Sequence, residues 1–326
     1  MRKLGLSFIL LLLCLSSWKA FSHSRVPIHP HSKKPVLMLD SDPEGDFQTI
    51  TVPIKRAGTL IVVEAQLDTV IGNFILDTGA PGLVLNETYF RDLPHDSEKE
   101  AGGVNGAASA FVTTVHNLDI LDLHYSRLTA DVTDLSRIEN TKGIKVLGLL
   151  GTRLFNKLAI TVDLFNNVLY IHKLDDKGEI TPTERVFDHA DMKTDFKLLN
   201  DVMFIKGAVN ESEMWFAFDT GAESNLLDHE NFKKLARKMR VVSQQTLTGV
   251  GGTKYENAYA VFDNLVIGNY LFKHNRIMFT RLEEMGKAYN NTVDAILGHD
   301  FFARGIFTIN FVKKEFEMYI YTYPDK

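Results

Sequence analysis

Phe74-Ile75-Leu76-Asp77-Thr78-Gly79-Ala80 recurs 142 residues later as Phe216-Ala217-Phe218-Asp219-Thr220-Gly221-Ala222. Each copy is a short apolar run ending in a carboxylate followed by Thr and Gly, the pattern of a buried strand that breaks into a tight turn. A carboxylate at the end of a buried strand is poorly solvated. Its burial is costly unless the charge is paired, hydrogen-bonded or neutralised by a proton. Two such positions, one in each half of the chain, imply that the two acids meet. The flanks repeat in the same register: Asn86 and Asp228 follow the copies, and Phe90 and Phe232 follow those, all at the offset of 142.

A second doubled element lies some seventy residues beyond each acid. Leu149-Leu150-Gly151 is matched by Ile296-Leu297-Gly298, with Phe155 and Phe302 after them, at an offset of 147. With these four motifs in matching order the chain resembles the aspartic peptidases of the pepsin and retropepsin type. Their signature is an apolar run followed by Asp-Thr-Gly-(Ser/Thr/Ala), and then an apolar pair followed by Gly. The resemblance runs from about Asp46 to Tyr321. It implies an all-β fold of two similar lobes with few short helices and a cleft between the lobes, where ligand sites at domain interfaces are expected. By resemblance, Asp77 and Asp219 are the catalytic dyad. Thr78 and Thr220 tie the two loops together through hydroxyl-to-backbone hydrogen bonds, and Gly79 and Gly221 let backbone N–H groups approach the carboxylates.

Local patterns fill in the lobes. Gln48 to Ile54, Leu60 to Leu67 and Asn73 to Leu76 read as strands before the first acid, and Val202 to Val209 and Met214 to Phe218 before the second. Asn86 and Asp228 read as caps of short helices reaching about Leu93 and Met239. Two glycine-rich segments follow, Gly102-Gly103-Val104-Asn105-Gly106 and Thr248-Gly249-Val250-Gly251-Gly252. Neither carries the Lys-Ser/Thr of a phosphate-binding loop, and both read as hairpin tips. Their matching place after each Asp-Thr-Gly resembles retropepsin flaps, which makes Gly103, Val104, Gly106, Gly249, Val250, Gly251 and Gly252 candidate substrate-binding residues. Alternating strands at Ala110 to Leu123 and Tyr259 to Ile267 lead to each Leu-Gly element, and strand pairs at Ile160 to Ile171 and Phe307 to Tyr321 close each half. The expected organisation is a leader over 1–22, a loose lead-in over 23–45, lobes over 46–173 and 186–326, and a polar linker over 174–185 containing Gly178 and Pro182.

Three features depart from the family patterns. Neither glycine-rich tip carries the Tyr of a pepsin flap, Tyr255 lying just past the second. The first Leu-Gly element continues Thr152-Arg153, where the second has His299-Asp300. No propeptide is evident beyond the short segment His23 to Pro43.

Arg2 and Lys3, the apolar run Phe8 to Leu15 and the small-residue site Ala20-Phe21-Ser22 read as an export signal. The expectation is a secreted protein, or a periplasmic one if the source is bacterial, with no stable membrane span in the mature chain. Without Arg2, Lys3 and Lys19 the 36 basic residues fall to 33 against 41 acidic ones, so the mature chain is net acidic and carries no signature of nucleic-acid binding. Cys14 is the only cysteine and lies in the leader. Disulfides, thiolate metal sites and a cysteine nucleophile are thereby excluded from the mature chain, and stability rests on core burial. No His-Glu-x-x-His or Gly-x-Ser-x-Gly pattern offers another hydrolytic chemistry, and Ser224 and the pair His29/His31 read as a turn residue and solvated side chains. No metal or cofactor is expected. The sequons at Asn86, Asn210 and Asn290 are of the kind that arise by chance.

The function these readings point to is an aspartic endopeptidase acting on peptide or protein substrates, for which a monomer supplies the whole site. A water activated between Asp77 and Asp219 would attack with no covalent intermediate. The rival is a catalytically silent peptide-binding or inhibitor protein on the same bilobal fold. Both Asp-Thr-Gly-Ala motifs being intact favours catalysis.

Overall fold

In the computed structural model, which describes residues 40–103, 106–231, 235, 238–248, 254–282 and 293–321, the doubled sequence becomes a doubled set of strands. Residues 1–39, which include the expected leader, most of the expected lead-in, and His29 and His31, lie outside the described residues. Among the described residues no helix is long and apolar enough to cross a membrane.

The protein is mostly β, with its strands in two sheets. In the first half, Val70–Leu76 runs into Asp77 and pairs in parallel with Gly148–Leu150. That short strand pairs on its other side with Leu83–Asn86, antiparallel, and Leu83–Asn86 pairs in parallel with Leu128–Thr133. The second half repeats the arrangement: Ser212–Phe218 with Ala295–Leu297, then Leu226–Asp228, then Asn275–Thr280. In both halves the apolar-Leu-Gly strand is thus inserted between the strand that enters the acid and the one that leaves it. These strands are apolar on both faces because they are buried on both faces, which is why they read as continuous runs and not as alternation.

The expected strands Leu60–Leu67 and Val202–Val209 appear with those bounds. One helical expectation is shortened: the helix after Asn86 is one turn, α1 (Glu87–Phe90). After Asp228 there is a 3-10 turn, His229–Asn231, and most of the rest of the expected helix lies outside the described residues. Asn86 does more than cap. Its buried side chain accepts from Thr88 N and Leu135 N, both at 3.2 Å, and donates to Val146 O at 2.9 Å. Asp228 similarly accepts from Glu230 N and Leu282 N. Asn210, 5 % exposed, donates to Lys238 O, so two of the three sequons have their Asn amides engaged in the fold. Asn290 lies outside the described residues.

The halves also share a sheet. Leu158–Asp163 pairs antiparallel with Gly305–Asn310, Ile160 opposite Ile309. Around this seam the order continues outward through Val168–Lys173 and Thr49–Ala57 on one side, and through Glu315–Ile320 and Met192–Asp195 on the other. Residues 174–185, expected as a polar linker, carry a bridge from Leu174 to Ile180 and a 3-10 turn, Pro182–Glu184. They are fastened to this sheet: Asn310 donates to Gly178 O and Arg185 pairs with Glu317 at 2.5 Å. The end of the lead-in, expected to be loose, is instead pinned where it is described. Glu44 bridges His124, Ser41 N donates to Arg127 O, and Asp40 accepts from Thr129 N.

One large apolar core runs through both halves, and its packing beneath the two acids differs. Phe218, next to Asp219, sits in an aromatic nest with ring centroids 4.6 Å from Phe316 and 5.5 Å from both Phe301 and Phe302. Leu76, next to Asp77, is fully buried in the same core, to which Leu154 and Phe155 also contribute. Two further short helices complete the elements used below: α2 (Ser136–Lys142) and α3 (His299–Phe302).

Candidate active site

Each acid sits where its strand ends and the inserted strand holds the backbone. Asp77 N donates to Leu150 O and Asp219 N donates to Leu297 O, both at 3.0 Å. Past the acid the chain turns back at once, with Ala80 N bonded to Asp77 O and Ala222 N to Asp219 O, both at 3.2 Å. The Gly of the inserted element is forced by this closeness. A Cβ on Gly151 would fall 2.5 Å from Ala80 O, and one on Gly298 would fall 2.6 Å from Ala222 O.

The structure brings the two loops together across the lobe boundary. Thr78 Oγ1 donates to Phe218 O (2.9 Å) and accepts from Thr220 N (3.0 Å). Thr220 Oγ1 donates to Leu76 O (2.8 Å) and accepts from Thr78 N (3.1 Å). Each hydroxyl therefore satisfies a carbonyl and an amide of the opposite half. Gly79 N and Gly221 N donate to the Oδ1 atoms of Asp77 and Asp219, each at 2.8 Å. The glycines also border the opposite acid: a Cβ on Gly79 would lie 2.7 Å from Asp219 Cγ, and one on Gly221 would lie 2.7 Å from Asp77 Cγ.

Asp77 and Asp219 are both fully buried, and their carboxyl groups are within hydrogen-bonding reach of one another. Neither Oδ2 meets a donor of the protein among the described residues. Two carboxylates repel at such a separation, and a proton held between them removes that repulsion. Electrostatics agree with this. Burial raises both carboxyls above the ordinary range; for Asp219 the Asp77 charge and their mutual hydrogen bond add to the rise, while for Asp77 the bond to Asp219 and the backbone N–H groups of Gly79 and Ala80 oppose it. Among the described residues no three His, Cys, Asp or Glu side chains converge as metal ligands would.

Around the dyad the halves diverge. Gly82 packs on Arg153, which pairs with Asp201 (3.2 Å) and Asp40 (3.6 Å) while Thr152 Oγ1 donates to Asp201 O. At the matching place in the second half, Asp300 is bonded to Ser224 and Asn225 N, and burial raises its carboxyl. His299 Nδ1 lies 3.4 Å from the Arg56 guanidinium of the first half, and burial together with that cation lowers its imidazole to about 4. Lys142 of the first half pairs with Glu223 of the second at 2.6 Å. The Arg153 and His299-Asp300 differences were visible as departures from a pattern. Lys142 and Arg56 carry no motif, and nothing in the sequence marks them.

The strands that flank the two glycine-rich segments pair with one another, antiparallel, in both halves. Ser97–Gly103 pairs with Gly106–Val115, Gly103 opposite Gly106, and Arg240–Thr248 pairs with Lys254–Phe262. The remaining candidate flap residues Val104, Gly249, Val250, Gly251 and Gly252 lie outside the described residues.

The crystal structure of basic 7S globulin from soybean is similar at 10 % identity with a TM-score of 0.47, over 83 % of this chain and 95 % of that one. No curated protein matches. A family model described as aspartyl protease matches twice, over residues 63–154 and 205–301, and each match contains one acid loop and one inserted apolar-Leu-Gly strand. On that double match, spanning more than half its length, the chain belongs to the aspartyl protease family.

Proposed function

We propose that this chain is an aspartic endopeptidase that hydrolyses peptide bonds with a water held between Asp77 and Asp219. The observation that carries the reading is the meeting of two fully buried carboxyl groups, one from each half, each bordered by the glycine of the opposite loop. Like charges this close cannot both ionise cheaply, so the pair holds one proton over a broad pH range and titrates as a unit. This is the general scheme of the aspartic proteases. The ionised carboxyl takes a proton from the water as it attacks the scissile carbonyl, and the protonated partner donates to the carbonyl oxygen. Both proton transfers run through the two carboxyls, and no covalent intermediate forms. The threonine cross-bonds support the scheme by fixing two loops from distant parts of the chain at one separation. The two hairpins would act as flaps over a bound peptide, and the leader would deliver the enzyme outside the cytosol.

The test is incubation of the purified mature chain with a peptide library between about pH 3 and pH 8, with and without a statine-type inhibitor. Cleavage that the inhibitor blocks is the expected result. Silence at every pH overturns the peptidase reading in favour of a peptide-binding protein.

A further inference from the structure

The helix α2 takes no part in the doubled motif, yet it touches both acid loops. Leu135 and Ile138 pack in one apolar cluster with Ile75, Ala80, Val84 and Leu149. These residues precede and follow Asp77 and form the strand inserted beside it, so the helix backs the first loop. The helix stops at Lys142 because Gly143 takes a left-handed conformation (φ 65) and its N–H closes on Glu139 O at 2.7 Å. Ending there directs the Lys142 ammonium across the lobe boundary onto Glu223 Oε1 at 2.6 Å, with the two side chains only 9 % and 18 % exposed.

Glu223 is the residue directly after Ala222, whose N–H donates to Asp219 Oδ1 at 3.1 Å. On its other side this turn is already confined: His299 N donates to Ala222 O, and Gly298 packs on the carbonyls of Ala222 and Ser224. Whatever moves Glu223 therefore moves the amide that holds the second acid. The first loop has no such handle, since Pro81 stands in the matching position.

We propose that Lys142 is a positioning residue: through Glu223 it holds the Asp219 loop at a fixed distance from the Asp77 loop, with α2 as the rigid spacer between them. The kinetic consequence rests on the peptidase reading above, whereas the mechanical one does not. An enclosed ion pair that loses one partner leaves an uncompensated charge, and the survivor seeks solvent or a new partner. In Lys142→Met the freed Glu223 carboxylate adds negative charge beside Asp219 and relaxes the turn that carries Ala222 N. Both changes make ionisation of the dyad harder.

The experiment compares wild type, Lys142→Met, Lys142→Arg and the uncharged double variant Lys142→Met/Glu223→Met on a cleaved peptide, each below its own melting temperature. Lys142→Met should lose up to about 100-fold in kcat, the scale of a small misplacement of reacting groups. KM should change much less, and the alkaline limb of the pH profile should move to higher pH. Lys142→Arg should recover most of the loss, and the double variant should return the pH limb but not the full rate. A Lys142→Met enzyme with wild-type kcat and an unmoved pH profile would overturn the proposal, even if its melting temperature fell. If the wild type cuts nothing, the peptidase reading has failed and amide hydrogen exchange decides the mechanical claim. Exchange at Gly221, Ala222 and Glu223 accelerated at least about tenfold by Lys142→Met, with Gly79 and Ala80 unaffected, supports it; unchanged exchange at both loops sinks it.

Discussion

The loops at Asp77 and Asp219 are bonded alike and surrounded differently. The same amide-to-carboxylate bonds at Gly79 and Gly221, the same hydroxyl crossings at Thr78 and Thr220 and the same bond from the inserted strand appear in both. One residue further out the likeness ends. The first loop continues Pro81-Gly82 against the Arg153–Asp201 pair, and the second continues Glu223-Ser224 against Lys142 and Asp300. The difference shows where symmetry is required. Two acids that share one proton must present matched environments at the shared bond, whereas the shells behind them need only be rigid, and each half achieves that with different residues.

The comparison is broken hardest at the acids. Asp77→Asn and Asp219→Asn should each reduce peptide cleavage by at least ~10³-fold, since each removes one of the two proton-transfer partners; a variant retaining a tenth of wild-type turnover would show that the halves are not equivalent and that one acid suffices. Next come the glycines. Gly79→Ala and Gly221→Ala put a methyl 2.7 Å from the opposite carboxyl carbon, so the dyad must part, and a loss of ~10²-fold or more is expected from both. Equal losses would confirm the matched geometry in solution.

The threonines test it through stability. Thr78→Val and Thr220→Val each orphan a buried amide and a buried carbonyl of the other half, at ~1–3 kcal/mol per group. Chemical denaturation should give the two variants similar costs.

A smaller and opposite effect is expected from pH. Both folded-state acids titrate above the ordinary range, Asp77 near about 6, so as pH rises the unfolded chain releases its protons first and the native state loses stability. Asp219→Asn removes that penalty. Its melting temperature should exceed wild type by roughly 3–6 °C at about pH 7 and converge with it near about pH 3. A difference that persists at low pH would mean the effect is packing and not charge.

The smallest effects belong to the outer shells. Arg153 and Asp201 are partly exposed, and Arg153→Ala should cost less than about 1 kcal/mol. The Arg56–His299 contact has the opposite sign in acid. His299 is held neutral down to about 4 in the folded protein, so the unfolded chain takes up its proton first as pH falls and stability drops between about 6.5 and 4. Arg56→Met should reduce that loss, which thermal melts at about pH 7 and about pH 4.5 would show.

Much of the site is legible in the chain because its parts are local. An apolar run into Asp-Thr-Gly, and an apolar pair before Gly, are each contained in a few residues, and their doubling supplies the pairing. Leu60–Leu67 and Val202–Val209 could be bounded for the same reason, since their turns flank them directly. The helix expected from Asn86 to about Leu93 ends at Phe90, and the capping Asn86 side chain also serves the neighbouring segments at Leu135 and Val146, partners that lie far along the chain. The shared sheet could not be read at all. Ile160 meets Ile309 across 149 residues, and nothing in either run names its partner.

By itself the sequence determined that there are two acids, that each ends a buried strand and turns on a glycine, and that the two halves follow one plan. Only the tertiary structure decided how far apart the acids stand, that their hydroxyl neighbours cross the boundary, and that Lys142 closes on Glu223. The physical reason is range. Strand, turn and cap preferences act over a few residues of chain, but a shared proton or an ion pair depends on the distance between atoms that the chain separates widely and only folding brings together.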